Sequence, residues 1–265
     1  MSLISVTSIA LGVYLLYILF YLVVGKKIHA SVQFPLAGKH KEVSCKNMIK
    51  GIEIKFFEID SGYIETWFLK QKSYAPCVLF YHGSGGTIDT NLSFARLLEE
   101  KGYHVLMVEY PSYGRSKGRL NNKSFKDIYL KTFDWLELNT IVTDIYILGN
   151  SMGGSIICSL INQRLPKALV LYSCHANYGK FISKKLLLPG IIIDNNFNNN
   201  VSEQARKIPT LIIHSKEDSI VPYSNALSLK GQFYHSELYT FSGGHGSLPD
   251  DELSEIITSY LNRFN

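Results

Sequence analysis

The chain has 265 residues, 46% hydrophobic and 18% charged, with 27 Lys and Arg against 22 Asp and Glu for a net charge of +5. That suits one large α/β domain, and the charge forms no dense basic stripe with interleaved aromatics, which argues against a nucleic-acid partner. The four cysteines (Cys45, Cys77, Cys158, Cys174) form no C-x-x-C pair and the eight histidines no H-E-x-x-H, so neither a metal nor a cofactor is expected.

Residues 3–24 carry no charge and are dominated by Leu, Ile, Val, Tyr and Phe. The run meets the length of roughly 20 residues that a membrane-spanning helix needs. Tyr14, Tyr17 and Tyr21 enrich it in interfacial aromatics. A cleaved signal peptide fits less well, because no Lys or Arg precedes the run and no small-x-small site closely follows it. The expectation is a single-pass anchor over residues 1–27. Lys26, Lys27, His29, Lys39 and Lys41 then place the following domain on the cytoplasmic side.

Residues 28–50 read as a polar linker and 51–265 as the main domain. Strands are predicted over 51–59 and 63–69, joined by the turn Asp60-Ser61-Gly62. Residues 76–81 form a continuous apolar run, as a strand buried on both faces requires. A helix over 91–101, ended by Gly102, precedes a strand over 104–109. A helix over 125–138 leads to the strand 145–148, and a further helix runs from 155 to about 162. Strands over 168–173, 210–213 and 235–241 and a helix over 250–264 complete the chain. Such alternation implies a mostly parallel sheet with helices on both faces. The short Asn-rich run 195–200 is the one low-complexity segment.

Gly149-Asn150-Ser151-Met152-Gly153 lies between the strand 145–148 and the helix after it. A serine at a sharp strand-to-helix turn has its hydroxyl raised clear of the sheet, and glycines at both ends avoid collision as the helix folds back. The Met152 amide then faces the space above Ser151, at a helix N-terminus that favours an oxyanion. A phosphate loop is a poor competitor, since no Gly-Lys-Ser/Thr follows.

A serine nucleophile needs a base and an orienting acid. Asp218 lies just past the strand 210–213, with Glu217 as rival acid and a turn or cap role as the plain alternative. His245 lies in the glycine loop Ser242-Gly243-Gly244-His245-Gly246 after the last strand. All three residues would gather at strand carboxyl ends, where open α/β sheets bind ligands. The loop Tyr81-His82-Gly83-Ser84-Gly85-Gly86 would supply a second oxyanion donor, the Ser84 amide. Its rival, a dinucleotide fingerprint with Glu109 as ribose acid, fails because Ile88 stands where the third glycine should be. His82 is expected to hold the loop's shape.

HGSGG at 82–86, EYPSYGRSKG at 109–118, GNSMGG at 149–154, HSKEDSIVP at 214–222 and GGHG at 243–246 together resemble the α/β-hydrolase superfamily. The likeness covers about residues 50–265 and is nearest to small-lid, membrane-anchored serine hydrolases of the abhydrolase-domain group. It implies an α/β-hydrolase fold with a small lid behind one N-terminal transmembrane helix. It also implies Ser151 as nucleophile, His245 as base, Asp218 as acid, and the Ser84 and Met152 amides as oxyanion hole. Glu109 departs from the Asp frequent in relatives and is read as a structural carboxylate beside the loop 111–115. A serine at 151 excludes a dehalogenase, which needs a carboxylate nucleophile.

The expected activity is cleavage of carboxylic esters or thioesters, with a lipid or acylated protein as substrate. The alternatives are a non-catalytic binding or scaffold protein on the same fold and a serine peptidase. Residues 175–207 interrupt the alternation where relatives carry a lid. Their apolar stretch 186–193, broken by Pro189-Gly190, is expected to cover the triad and line an acyl pocket through Leu187 and Ile192.

Overall fold

The computed structural model describes residues 3–39, 51–194 and 197–265. Lys41, Cys45, the linker residues 40–50 and the first two residues of the Asn-rich run lie outside the described residues.

Among the described residues, eight strands form one sheet in the order β1-β2-β4-β3-β5-β6-β7-β8. β1 (Ile52–Ile59) and β2 (Gly62–Leu69) make the predicted antiparallel hairpin, and β2 pairs antiparallel with β4 (His104–Val108). All pairings beyond that are parallel, through β3 (Ala75–Tyr81), β5 (Val142–Asn150), β6 (Ala168–Tyr172), β7 (Thr210–Ser215) and β8 (Ser236–Phe241). This is the α/β-hydrolase fold, a mostly parallel sheet with helices around it.

The sheet divides its side chains by the two-residue period of a strand. Cys77, Leu79 and Tyr81 of β3 enter one core together with α4 (Asn122–Glu137), α5 (Met152–Leu160) and α7 (Ser224–Gln232). Val78 and Phe80 enter the other, with α3 (Leu92–Glu100) and α8 (Asp250–Leu261). Both faces are covered, so the central strands read as unbroken apolar runs rather than as alternation. α4 begins three residues before its predicted start because the Asn121 side chain accepts from the Ser124 amide at 2.8 Å, a polar cap that hydrophobic periodicity does not register. α7 was absent from the sequence reading; only Ala226 and Leu229 of it are buried, too sparse an apolar stripe to announce a helix.

The apolar N-terminus forms α1 (Leu3–Phe20), which passes through a π-turn at Tyr21–Gly25 into α2 (Lys26–Gln33). The stretch Val6–Gln33 is long and apolar enough to cross a membrane, and the side chains of α1 described from Val6 on are almost all exposed. The helix outruns the expected boundary at residue 27. What reads as linker over 28–39 is helix and a docked turn: Gln33 and Phe34 are buried, and the Gly38 amide donates to the Ser112 carbonyl at 2.8 Å.

The predicted lid contains α6 (Tyr178–Leu186), whose cap Asn177 accepts from the Lys180 amide at 2.8 Å. The helix ends at Leu187, which takes a left-handed conformation at φ 52° two residues before Pro189, so the stretch is broken as expected. Its facing differs from expectation. Leu187 turns outward and is 74% exposed, while Leu188, Ile193 and Phe197 join the core and Ile192 packs against it.

Candidate active site

Ser151 sits between the end of β5 and the first residue of α5, at φ 51° and ψ −115°. A non-glycine residue at positive φ is strained. Here the surroundings hold it: the Ser151 amide donates to the Tyr172 carbonyl at 2.8 Å. A Cβ on Gly153 would collide with the Tyr81 carbonyl oxygen, and one on Gly149 would stand 2.5 Å from the Gly154 Cα. The glycine spacing is therefore set by backbone meeting backbone.

Ser151 Oγ lies 2.9 Å from His245 Nε2, and His245 Nδ1 lies 2.7 Å from Asp218 Oδ2. With Nδ1–H donated to the carboxylate, Nε2 is left as the acceptor facing the serine hydroxyl. Asp218 is itself fixed, its Oδ1 accepting from the Ile220 amide at 2.9 Å and the Val221 amide at 2.8 Å. The rival Glu217 points elsewhere. It accepts from the Gly243 amide at 2.8 Å and from the Ser215 hydroxyl at 3.1 Å, and the Gly243 bond holds its carboxyl below the usual range. Gly243 at φ 131° and Gly246 at φ 62° bend the loop that presents His245. Thus the fold brings together Ser151, His245 and Asp218, and leaves Glu217 bracing the histidine loop.

Gly83 faces the elbow so closely that a Cβ on it would stand 3.4 Å from the Ser151 Cβ. The next residue, Ser84, is tied down through its carbonyl, which accepts from the Tyr113 hydroxyl at 2.9 Å. Met152 opens α5, so its amide is among those a helix leaves without an internal acceptor. Behind this loop is a buried pair: His82 Nε2 lies 2.9 Å from Glu109 Oε1. Glu109 also accepts from the Ile88 amide at 3.1 Å and the Tyr110 amide at 3.0 Å. It thereby stitches the loop after β3 to the loop after β4, the structural role expected of it.

Four neighbours of the site escaped the sequence reading. Gln33 Nε2 reaches Met152 Sδ at 4.0 Å. Cys174 packs against Gly154 and its thiol donates to the Gly149 carbonyl at 3.2 Å. His214 Nε2 donates to the Val221 carbonyl at 2.8 Å and stands 3.4 Å from Asp218 Oδ2. His175 is buried between the rings of Tyr178 and Phe181, and neither ring nitrogen has a hydrogen-bond partner among the described residues. Burial, with the nearby His245 adding to it, pushes its pKa down to about 4. A neutral histidine with two idle nitrogens beside the triad had no sequence signal beyond its position after β6.

Comparison with known proteins agrees with this fold. Residues 76–170 match the alpha/beta hydrolase fold family and residues 146–253 the serine hydrolase (FSH1) family. The chain is 23% identical to the uncharacterized protein YfhR of Escherichia coli O157:H7, over 80% of this chain and 82% of that one. It is 25% identical to the lysophosphatidylserine lipase ABHD12 of Rattus norvegicus over 56% of this chain, and spans only 43% of that lipase. Among solved structures, Est1E from Butyrivibrio proteoclasticus with bound ferulic acid superposes with a TM-score of 0.69 at 19% identity, covering 79% of this chain and 98% of that one. Alpha/beta hydrolase domain-containing protein 10 from mouse superposes with a TM-score of 0.61 at 15% identity, covering 80% and 100%. The protein is an α/β-hydrolase-fold enzyme. More narrowly, its matches are to serine hydrolases, abhydrolase-domain proteins among them.

Proposed function

We propose that this chain is a membrane-anchored serine hydrolase that cleaves carboxylic ester or thioester bonds with Ser151, His245 and Asp218 as its triad. One observation carries the reading: the unbroken relay from Ser151 Oγ through His245 to Asp218, at 2.9 and 2.7 Å. His245 takes the serine proton as Oγ attacks the carbonyl carbon. The amides of Ser84 and Met152 receive the oxyanion, and Asp218 steadies the imidazolium that forms. His245 then protonates the leaving alcohol or thiol. Water, deprotonated by the same ring, releases the acyl group from Ser151.

The anchor reading is supported by the apolar helix, with residues 1–27 as the anchor segment, the domain at 51–265 and the lid over 175–207. Lys26, Lys27, His29 and Lys39 follow the span, which favours a cytoplasmic domain by the positive-inside rule. An anchored hydrolase meets amphiphilic substrates first. The likeness to lysophosphatidylserine lipases, less than half of whose length the chain spans, points to the same class, lipid or acylated-protein esters. The test is labelling of the full-length chain by a fluorophosphonate probe, lost in Ser151→Ala. Absence of labelling in the native chain would favour a scaffold.

A further inference from the structure

The outer edge of the lid is an uncharged loop. Leu186-Leu187-Leu188-Pro189-Gly190-Ile191-Ile192-Ile193 runs between Lys184-Lys185 and Asp194. Leu188 and Ile193 face the core, but Leu187 is 74% and Ile191 93% exposed. Two large aliphatic side chains at the tip of an apolar loop are costly in water.

The loop is seated against α1. The Tyr17 hydroxyl donates to the Leu186 carbonyl at 2.7 Å and the Tyr14 hydroxyl to the Leu187 carbonyl at 2.9 Å. Where the loop becomes charged the helix does too, and Lys26 Nζ pairs with Asp194 Oδ1 at 3.1 Å. The two apolar stretches therefore end at one level. Tyr17 precedes Lys26 by nine residues and Tyr14 by twelve. At about 1.5 Å per residue, the Leu186 and Leu187 carbonyls lie roughly 14 to 18 Å beyond that level. Half the hydrocarbon thickness of a bilayer is about 15 Å.

Irregular backbone survives at such depth only if its polar groups are satisfied within the protein. Five consecutive carbonyls are. Besides those of Leu186 and Leu187, the Leu188 carbonyl accepts from the Ser183 hydroxyl at 2.6 Å. The Pro189 carbonyl accepts from the Ile192 amide at 3.1 Å, and that of Gly190 from the Ile193 amide at 3.2 Å. In water no such accounting is needed at an exposed loop, since solvent serves every carbonyl.

We propose that residues 186–193 are a second membrane-inserted element, embedded beside α1 in the hydrocarbon of the leaflet nearest the catalytic domain. The proposal rests on the anchor reading and specifies its consequence: the lid is held open toward lipid, and an acyl chain passes from the leaflet to Ser151 without crossing water. Tyr14 and Tyr17 are the residues that make the seating compatible with lipid.

The test uses the full-length chain in phosphatidylcholine vesicles. Ile191→Trp is compared with Tyr74→Trp, an exposed position at the amino end of β3, away from the strand carboxyl ends. Lipids brominated on the acyl chains should quench the tryptophan at 191 at least about twofold more than that at 74. Equal quenching overturns the proposal. Separately, Leu187→Asp and Ile191→Asp should each lower hydrolysis of a vesicle-borne long-chain ester by about tenfold, with a water-soluble acetyl ester and fluorophosphonate labelling unchanged. Equal loss on both substrates also overturns it. Native chain that fails to label, or that leaves the membrane in carbonate, would sink the anchored-hydrolase reading itself, so the two failures are separable.

Discussion

Gln33 and Met152, 119 residues apart in sequence, meet beside the nucleophile, with Gln33 Nε2 4.0 Å from Met152 Sδ. The next residue, Phe34, is fully buried, stacked on Phe125 at 5.6 Å between ring centroids and edge-on to Tyr110 and Tyr113. The segment that follows the apolar helix thus packs beside the candidate nucleophile. A chain beginning at Lys26 is expected to be soluble and active, because it keeps both residues. One beginning after Lys39 is expected to lose activity and to unfold at lower temperature. Phe34→Ala should cost about 3–5 kcal/mol, as for other buried aromatics. Equal activity in both truncations, measured as fluorophosphonate labelling rate, would contradict this.

The relay predicts how single substitutions divide. Ser151→Ala and His245→Ala are each expected to lower kcat by at least about a thousandfold, since triad members act as a unit. Asp218→Asn should do somewhat less. Glu217→Gln should do little, because the amide oxygen can still accept from the Gly243 amide that Glu217 now holds at 2.8 Å. Steady-state turnover of a soluble ester measures all four. Equal damage from Glu217→Gln would move the acid assignment.

The elbow glycines can be ranked by what a methyl group would meet. Gly153→Ala places it against the Tyr81 carbonyl, which cannot move without breaking β3 from its neighbours, whereas nothing lies within 4 Å of a Cβ on Gly85. Gly153→Ala is expected to abolish labelling of Ser151 and to destabilise by several kcal/mol, roughly 2 or more. Gly85→Ala should be within about 0.5 kcal/mol of native stability. Thermal unfolding followed by circular dichroism separates the two.

His175 makes stability pH-dependent with a definite sign. Its pKa is lowered from 6.5 to about 4 in the folded chain, so below 6.5 the unfolded chain binds the extra proton. The contribution is intact above about pH 6.5 and is lost as pH falls toward 4, about 2 kcal/mol by pH 5. His214, lowered by burial, acts in the same direction. Urea midpoints at pH 8 and pH 5 should differ less in His175→Leu than in the native chain. An unchanged difference would place the acid sensitivity elsewhere.

The proposed lid would set acyl-chain preference through its inner face. Leu188 and Ile193 are buried toward the core while Leu187 faces out. If the inner face receives the chain, kcat/KM should rise from acetyl to medium-chain esters by up to roughly tenfold per two methylenes, at about 0.8 kcal/mol per buried CH₂. Leu188→Ser is expected to flatten that trend for soluble esters and Leu187→Ser to leave it. A best substrate of acetyl length would rule the pocket out.

Amino-acid order alone determined whatever depends on neighbours along the chain. The strand, the glycine spacing and the serine fix the elbow because the collisions that demand Gly149 and Gly153 arise within one strand-turn-helix unit and its adjoining strand. The central strands were legible because burial on both faces leaves a continuous apolar run. Tertiary structure decided what depends on direction. Asp218 and Glu217 are adjacent and chemically alike, and only the turn at Ile220-Val221, whose amides hold Asp218 Oδ1, aims one of them at His245. Residues 28–39 carry no pattern that distinguishes a linker from a docked helix end. Their place follows from Gln33 and Phe34 finding Met152, Tyr110 and Phe125, contacts at long sequence separation that composition does not encode. The outward turn of Leu187 is of the same kind: a single left-handed residue at the end of α6 reverses which aliphatic side chains meet the core and which meet the surroundings.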